Sequence, residues 1–581
     1  MHSDYDITNL MYGAQTAAEL DFYQGEPKPR LEPLLLDTVM QGRPPASNCR
    51  LLQMPSENLA KIVSFIAQDN KALQQLVLVN SDCCGFSRAC QFSELKFDCS
   101  PNKIKLLLQL AKGTIEGRTG PSILDCVRKF TFKPDPYQVR AVHSNVWRRF
   151  RDDSDDEYEG TAEVKEQGAE IFKQIQHTVA LNLKAMRNLE TLVWDCNFSV
   201  DKDGFLLLLC STAHDLLIND TLIAENFSLG PPLTPPSWPL RSLVLMNLRL
   251  VGSSDQEHIH IGQGEPLRPN LSNDFFKSLF QLCSPTLESL VWESWNPGTW
   301  KPLSLGIGPK SFPKLRHLRI MPGRDAIDEA SFDSLLYAPL KSLEPRHSSF
   351  RLFEHLIRSH IEEPYRDLEE LVVKLGQNKD SGYDKDHFHI LPESLMTICE
   401  LTTLQQLGLR CADMEPEFDS YEDYIEETYP IWLIDHGKLQ ARLQNLKNLK
   451  LLVIRGDTYP PRANEIFGHP SYYKSHYGNE EDFQTAKDHP ELAPFVQSRH
   501  EISLAWQHAH LYRMLEYARS YRKVLPKLEW ILCGRRPMKF MENAQGVVQP
   551  HPVGNELDEC KTFIGRVFGL ASEVEIAHLI D

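Results

Sequence analysis

The chain lacks long apolar runs. Nowhere in its 581 residues do the roughly 18 consecutive apolar positions needed to cross a bilayer occur. Its start, MHSDYDITNL, lacks the basic flank and apolar core of a secretory leader. Positive charge is also short. Lys and Arg number 62 against 79 Asp and Glu, a formal net charge of −17. A phosphate-binding surface needs clustered cations, so neither nucleic acid nor membrane is an expected partner. Thirteen cysteines without a leader read as reduced thiols in a cytoplasmic or nuclear protein.

The common signatures of enzyme chemistry are missing too. There is no Gly-x-x-x-x-Gly-Lys loop, no Gly-x-Gly-x-x-Gly after a strand and no Gly-x-Ser-x-Gly elbow. Three His-x-His pairs (His258/His260, His387/His389, His508/His510) have no third ligand at a defined spacing and read as surface histidines. Cys83, Cys84, Cys90 and Cys99 lack C-x-x-C pairing and read as core or surface thiols. The sequence therefore predicts no catalytic residues, no metal site and no cofactor.

What is present is material for a folded protein. With 41% hydrophobic and 9% aromatic residues, the chain can bury a core, and its length exceeds what one core usually serves. Residues 1–48 are broken by Pro27, Pro29, Pro33, Pro44 and Pro45 and read as a flexible tail. The acidic run Asp152 to Glu159 reads as a solvated loop.

From about residue 127 one pattern recurs: apolar, two variable, apolar, one variable, apolar. It occurs as Val127-Phe130-Phe132, Leu189-Leu192-Trp194, Leu240-Leu243-Leu245, Leu287-Leu290-Trp292 and Leu315-Leu318-Ile320. It continues as Leu368-Leu371-Val373, Leu404-Leu407-Leu409, Leu449-Leu452-Ile454 and Leu528-Ile531-Cys533, with a degenerate copy at Leu340-Leu343 that Pro345 spoils. Each copy suits a strand. NDFFKSLFQLC, FRLFEHLIRSHI, PESLMTICEL and HAHLYRMLEYARSYRKVL, ahead of Leu287, Leu368, Leu404 and Leu528, carry helical periodicity.

Helix then strand, many times over, predicts an α/β architecture: an irregular leucine-rich-repeat solenoid of helix-strand units over 101–581. First anchors from Leu287 to Leu368 are 28, 25 and 28 residues apart, whereas the earlier gaps of 51 and 47 imply insertions or unrecognised copies. A generic α/β protein whose strands begin Leu-x-x-Leu is the alternative. An insertion at 458–500 opens on the Tyr-rich stretch YPPRANEIFGHPSYYKSHY, whose Tyr472, Tyr473 and Tyr477 are candidate substrate anchors. Arg316, His317, Arg319, Glu369, Glu370, Lys447, Lys450 and Arg455 are expected to face outward between the apolar anchors.

Residues 49–100 stand apart as a helical domain. Pro55 and Ser56 open a first helix whose Leu59, Ile62, Val63 and Ile66 form one stripe. Asp69 or Asn70 caps a second with Leu73, Leu76 and Val79, and Ser81 or Asp82 can start a third. On periodicity alone this is a cap packed on the repeats.

Met54-Pro55-Ser56-Glu57-Asn58-Leu59-Ala60-Lys61-Ile62-Val63, with Leu73-x-x-Leu76-x-Leu78-Val79-Asn80, resembles the F-box motif, Met54 standing where Leu is usual. Asp82, Cys83, Arg88, Gln91, Phe92, Phe97 and Asp98 match the version common in fungal F-box proteins. The resemblance covers under a tenth of the chain. It implies docking onto the Skp-family adaptor of a cullin-RING ubiquitin ligase, with the remainder holding a protein substrate. It implies that Pro55, Leu59, Ile62, Val63, Ile66, Leu73, Leu76 and Val79 make the adaptor contacts or hold the helices that do. A repeat scaffold unconnected to a ligase is the alternative, and an enzyme with a dispersed site a more distant one.

Overall fold

A computed structural model describes residues 53–66, 69–116, 122–134, 162–196, 199–219, 221–223, 227–230, 237–246, 248–250, 274–293, 304–308, 310–321, 327–347, 368–375, 395–396, 398–410, 436–455, 480–496, 501–533, 536–543 and 545–552. The proposed tail 1–48, the acidic run, two of the His-x-His pairs, the helix expected ahead of Leu368, and Tyr472, Tyr473 and Tyr477 lie outside these residues. The fold is mixed α/β, in two compact units: Pro29–Leu315 with Asp325–Leu335, and Arg316–Arg324 with Leu336–Asp581.

The first unit begins with three helices, α1 (Ser56–Ile66), α2 (Asn70–Val77) and α3 (Ser81–Gln91), then β1 (Glu94–Phe97), α4 (Pro101–Ile115) and β2 (Lys129–Phe132). It continues through α5 (Ala162–Ala185), β3 (Thr191–Asp195), β4 (Ser199–Val200), α6 (Lys202–Leu209), β5 (Asp215–Asn219), β6 (Leu222–Ile223), β7 (Ser242–Met246), β8 (Arg249–Leu250), α7 (Asp274–Cys283) and β9 (Ser289–Glu293). α8 (Glu329–Leu336) is tied to this unit through Ser331 Oγ, which accepts from Leu305 N at 2.8 Å. β1, β2, β3, β5, β7 and β9 pair in that order, all parallel, and β4, β6 and β8 form a second small parallel sheet.

The register explains the repeat. Leu95, Phe130, Leu192, Leu216, Leu243 and Leu290, the middle anchors, stand opposite one another in one column. All are buried. The third anchors stack beside them, with Phe132 4.3 Å from the Trp194 ring and 5.8 Å from Phe97. No single strand could bury its own row; each closes the apolar surface of the next.

Two copies escaped the sequence pattern: Phe92-Leu95-Phe97 on β1 and Ala213-Leu216-Ile218 on β5. β5 divides the 51-residue gap. The next gap is an insertion instead, because β7 pairs directly with β9. β1 also extends the sheet into the segment expected to be wholly helical.

The second unit holds β10 (His317–Met321), β11 (Ser342–His347), β12 (Glu370–Leu375), β13 (Gln406–Arg410), α9 (His436–Leu443), β14 (Leu451–Arg455), α10 (Glu480–Asp488), α11 (Glu501–Val524) and β15 (Trp530–Cys533). These six strands pair in order and in parallel, and Leu318, Leu343, Leu371, Leu407, Leu452 and Ile531 form their anchor column. Pro345 interrupts nothing beyond its own missing N–H, since pairing resumes at Arg346. β16 (Arg536–Glu542) and β17 (Val548–Pro552) end the sheet antiparallel. The described part of the 458–500 insertion is α10 and a 3-10 turn. α10 packs on α11, where the buried Asp482 carboxylate meets Arg513 at 3.0 Å. α9 is held by His436, whose Nδ1 lies 3.0 Å from Tyr521 Oη.

A second, polar ladder runs just ahead of the strands. The residue before the first anchor donates to the preceding copy's backbone: Asn188 to Asp125 O at 2.7 Å, Thr286 to Trp238 O at 3.0 Å, Thr403 to Leu368 O at 2.7 Å and Asn448 to Thr402 O at 3.0 Å. These bonds satisfy carbonyls that the strand ladder leaves over.

Two expectations about exposure fail. Residues between the anchors do not all face solvent: Val193, Leu217, Val244, Val291, Val453 and Leu532 are buried on the opposite face. Strands such as TLVWD and LLVIR read as continuous apolar runs, as parallel strands covered on both faces do. Arg319 is likewise buried, 3.6 Å from Glu344 on the next strand. Arg316, Glu369 and Lys450 belong to a row of mixed sign in which Lys341 and Glu369 approach at 3.4 Å.

Truncating a middle anchor opens a cavity that the stacked neighbours cannot fill. Leu318→Ala, Leu371→Ala, Leu407→Ala and the unforeseen Leu216→Ala should each cost about 2–5 kcal/mol in urea unfolding. Parent-like midpoints for Leu216→Ala would exclude that copy from the stack.

Candidate docking site

The three N-terminal helices form where their caps dictate. Asp69 Oδ1 accepts from Lys71 N at 2.9 Å and Ala72 N at 3.0 Å, opening α2. Asn80, rather than Ser81 or Asp82, caps α3: its Oδ1 accepts from Cys83 N at 2.8 Å. Ser87 Oγ on α3 donates to the Leu73 carbonyl at 2.7 Å, fastening α3 to α2 away from water.

The eight residues expected to serve docking divide in two. Leu59 and Val63 are buried with Cys83 and Phe86, and Ile66 and Leu76 pack against that cluster. Leu73 is 1% exposed. These side chains hold the helices. Pro55, Ile62 and Val79 face outward.

Around the exposed three stand apolar residues the sequence reading passed over. Phe65 is 82% exposed and Leu78 is 78% exposed, against 41% for Ile62 and 65% for Val79. Met54 is also exposed. Ile62 and Phe65, three apart on α1, share one side of that helix. Leu78 and Val79 occupy the turn between α2 and α3. Large apolar side chains left in water on such a small helical unit make it the candidate docking site. The missed signal was periodicity: Phe65 falls off the Leu59-Ile62-Val63-Ile66 stripe, and a residue off the core stripe of a helix faces solvent.

Elsewhere the described residues show little reactive chemistry. No group of three or more His, Cys, Asp or Glu among them could hold a metal ion, and none of their helices is long and apolar enough to cross a membrane. Burial pushes the thiols of Cys99 and Cys283 up to about 12, and those of Cys90, Cys126 and Cys399 to about 11, so these are not poised as nucleophiles. His508 and His510, read as surface histidines, are buried on α11, and His510 stacks on Trp506 at 5.0 Å.

No protein-family model and no curated protein matches the chain. Among solved structures, the crystal structure of a TLR13–ssRNA13 complex overlaps 57% of this chain at 16% identity and a TM-score of 0.18. The chain spans about half of that protein's length, 48%.

The core–surface division has direct consequences for stability. Phe65→Asp and Leu78→Asp should change the unfolding free energy by under ~0.5 kcal/mol, and Leu73→Ala should cost about 2–5 kcal/mol. Equal losses at all three would place Phe65 and Leu78 in the core.

His508 sets a pH dependence. Desolvation by burial holds its pKa below the ordinary 6.5, so the unfolded chain takes up this proton first as pH falls. Stability conferred by neutral His508 is thus complete above about pH 7.5 and declines through 6.5 toward the folded value. Urea midpoints should fall over that window, and His508→Gln should flatten the fall. An identical slope in the variant would contradict the assignment.

Proposed function

We propose that this chain is the substrate-recognition subunit of a Skp-cullin-F-box ubiquitin ligase and is itself without catalytic residues. The three-helix segment docks the Skp-family adaptor, and the stacked helix-strand copies form an irregular leucine-rich-repeat solenoid that holds a protein substrate. Ubiquitin transfer then depends on proximity supplied by other subunits, which converts an encounter into an effectively intramolecular step.

One observation carries the reading: the segment with F-box-like spacing also leaves Ile62, Phe65, Leu78 and Val79 in water. A second reading, in which these helices only cap a repeat scaffold, has its own support. Ala89 on α3 packs with Cys126 and Phe92, and β1 continues directly into the sheet. Capping accounts for the buried set. It gives no reason for Phe65 and Leu78.

Adaptor capture by the full chain discriminates the two. The parent should retain a Skp-family adaptor in pulldown, and Ile62→Asp with Phe65→Asp should weaken capture about tenfold or more by placing unpaired charge in the docking face. Both positions are exposed, so the variant's melting should match the parent. A parent that does not bind, or a folded variant that binds as well, would leave the scaffold reading.

A further inference from the structure

The last copies of the second unit gather positive charge in water. Lys447 and Lys450 flank the first anchor Leu449, Lys527 precedes the first anchor Leu528, and Lys539 stands on β16; all four are exposed. Backbone pairing brings them together. Glu529 N donates to Lys450 O at 2.8 Å, and Lys539 pairs in register with Trp530. Lys450 and Lys539 therefore stand two strands apart, roughly 10 Å. Lys447 Nζ reaches across to Val524 O, at the end of α11, at 3.1 Å. Lys527 takes the position in the polar ladder that Asn188, Thr286, Thr403 and Asn448 hold in other copies, and its Nζ donates to Asn448 Oδ1 at 2.8 Å. A rung that an uncharged side chain fills elsewhere carries a cation here.

Three of these four cations are held by neutral groups: Lys447 by a carbonyl, Lys527 by an amide, and Lys539 by the Trp530 ring, whose centroid is 5.2 Å from Nζ. Such partners fix the side chains without cancelling their charge. An exposed lysine normally loses rotamer freedom when it binds, and three of these have already lost much of it. Among the described residues none of the four ammonium groups forms an ion pair. Other copies match their charges at the strand entries, where Arg128 meets Glu190 at 2.6 Å and Lys341 meets Glu369 at 3.4 Å. Glu529, exposed beside Lys450, leaves the patch positive.

We propose that this patch binds an Asp- and Glu-rich segment of a partner protein, laid across the strand entries from β14 to β16. Each lysine is a single point charge rather than a fork shaped for one phosphate. Three of them are fastened at separate points, a spread that suits a series of carboxylates. Nucleic acid is disfavoured because the chain's net charge of −17 repels a long polyanion, whereas a short segment meets only the local field. This rests on the preceding proposal and deepens it by giving its substrate a chemical class.

The test uses the full chain and fluorescent peptides of equal length: one rich in Asp and Glu, its Asn and Gln counterpart, and one that carries the same charge on phosphoserines. The parent should bind the carboxylate peptide and not the uncharged one, with affinity falling steeply as salt rises. Lys450→Glu with Lys539→Glu should weaken binding about tenfold or more. Lys450→Gln with Lys539→Gln, which adds no repulsion, should weaken it less but measurably, at parent-like melting. Lys184→Gln, which removes an exposed lysine from α5, should bind as the parent does. No discrimination by the parent, undiminished binding by the folded Gln variant, or an equal loss in Lys184→Gln would overturn the proposal. Tighter binding of the phosphoserine peptide, or an RNA oligonucleotide that outcompetes the carboxylate peptide, would overturn it as well. Adaptor capture by the same samples separates it from the ligase reading: capture without acidic-peptide binding removes this patch alone, and acidic-peptide binding without capture removes the ligase assignment alone.

Discussion

The constraint on which the rest depends is that no helix-strand copy can bury its own apolar face. A four- or five-residue parallel strand with one helix exposes more leucine than it covers, and only a neighbour in register closes the row. Leu192 against Leu216 and Leu407 against Leu452 are that closure in the two units. Register must then be held tightly, because a slip of one residue would turn every anchor to the wrong face. The Asn and Thr side chains that reach back to the preceding copy's carbonyls help to hold it.

Much of this was legible in the residues. Every copy read from the pattern is a strand, and the helical stretches ahead of Leu287 and Leu528 are helices. The two missed copies have physical reasons. Ala213 is too small to stand out as a first anchor, and Phe92-Leu95-Phe97 hides inside the segment read as helical. The solvent-facing side of the strands was misjudged because a period-two pattern presumes one wet face. Val193 and Val453 show a strand dry on both.

The candidate docking site was half legible. An apolar stripe identifies a helix's buried side, so Leu59, Val63 and Leu73 were found for what holds the helices together. Ile62 lies on that stripe yet is 41% exposed, so the stripe does not separate buried from exposed side chains by itself. Phe65 and Leu78 become conspicuous only when their exposure is seen.

The central claim is that the three-helix surface, and not the sheet, meets the adaptor. Hydrogen–deuterium exchange on the full chain with and without a Skp-family adaptor tests it most directly. Slower exchange should be confined to α1 and the α2–α3 turn around Leu78 and Val79, with β2 to β15 unchanged. Protection spread along the strands, or none at all in the presence of saturating adaptor, would contradict the account.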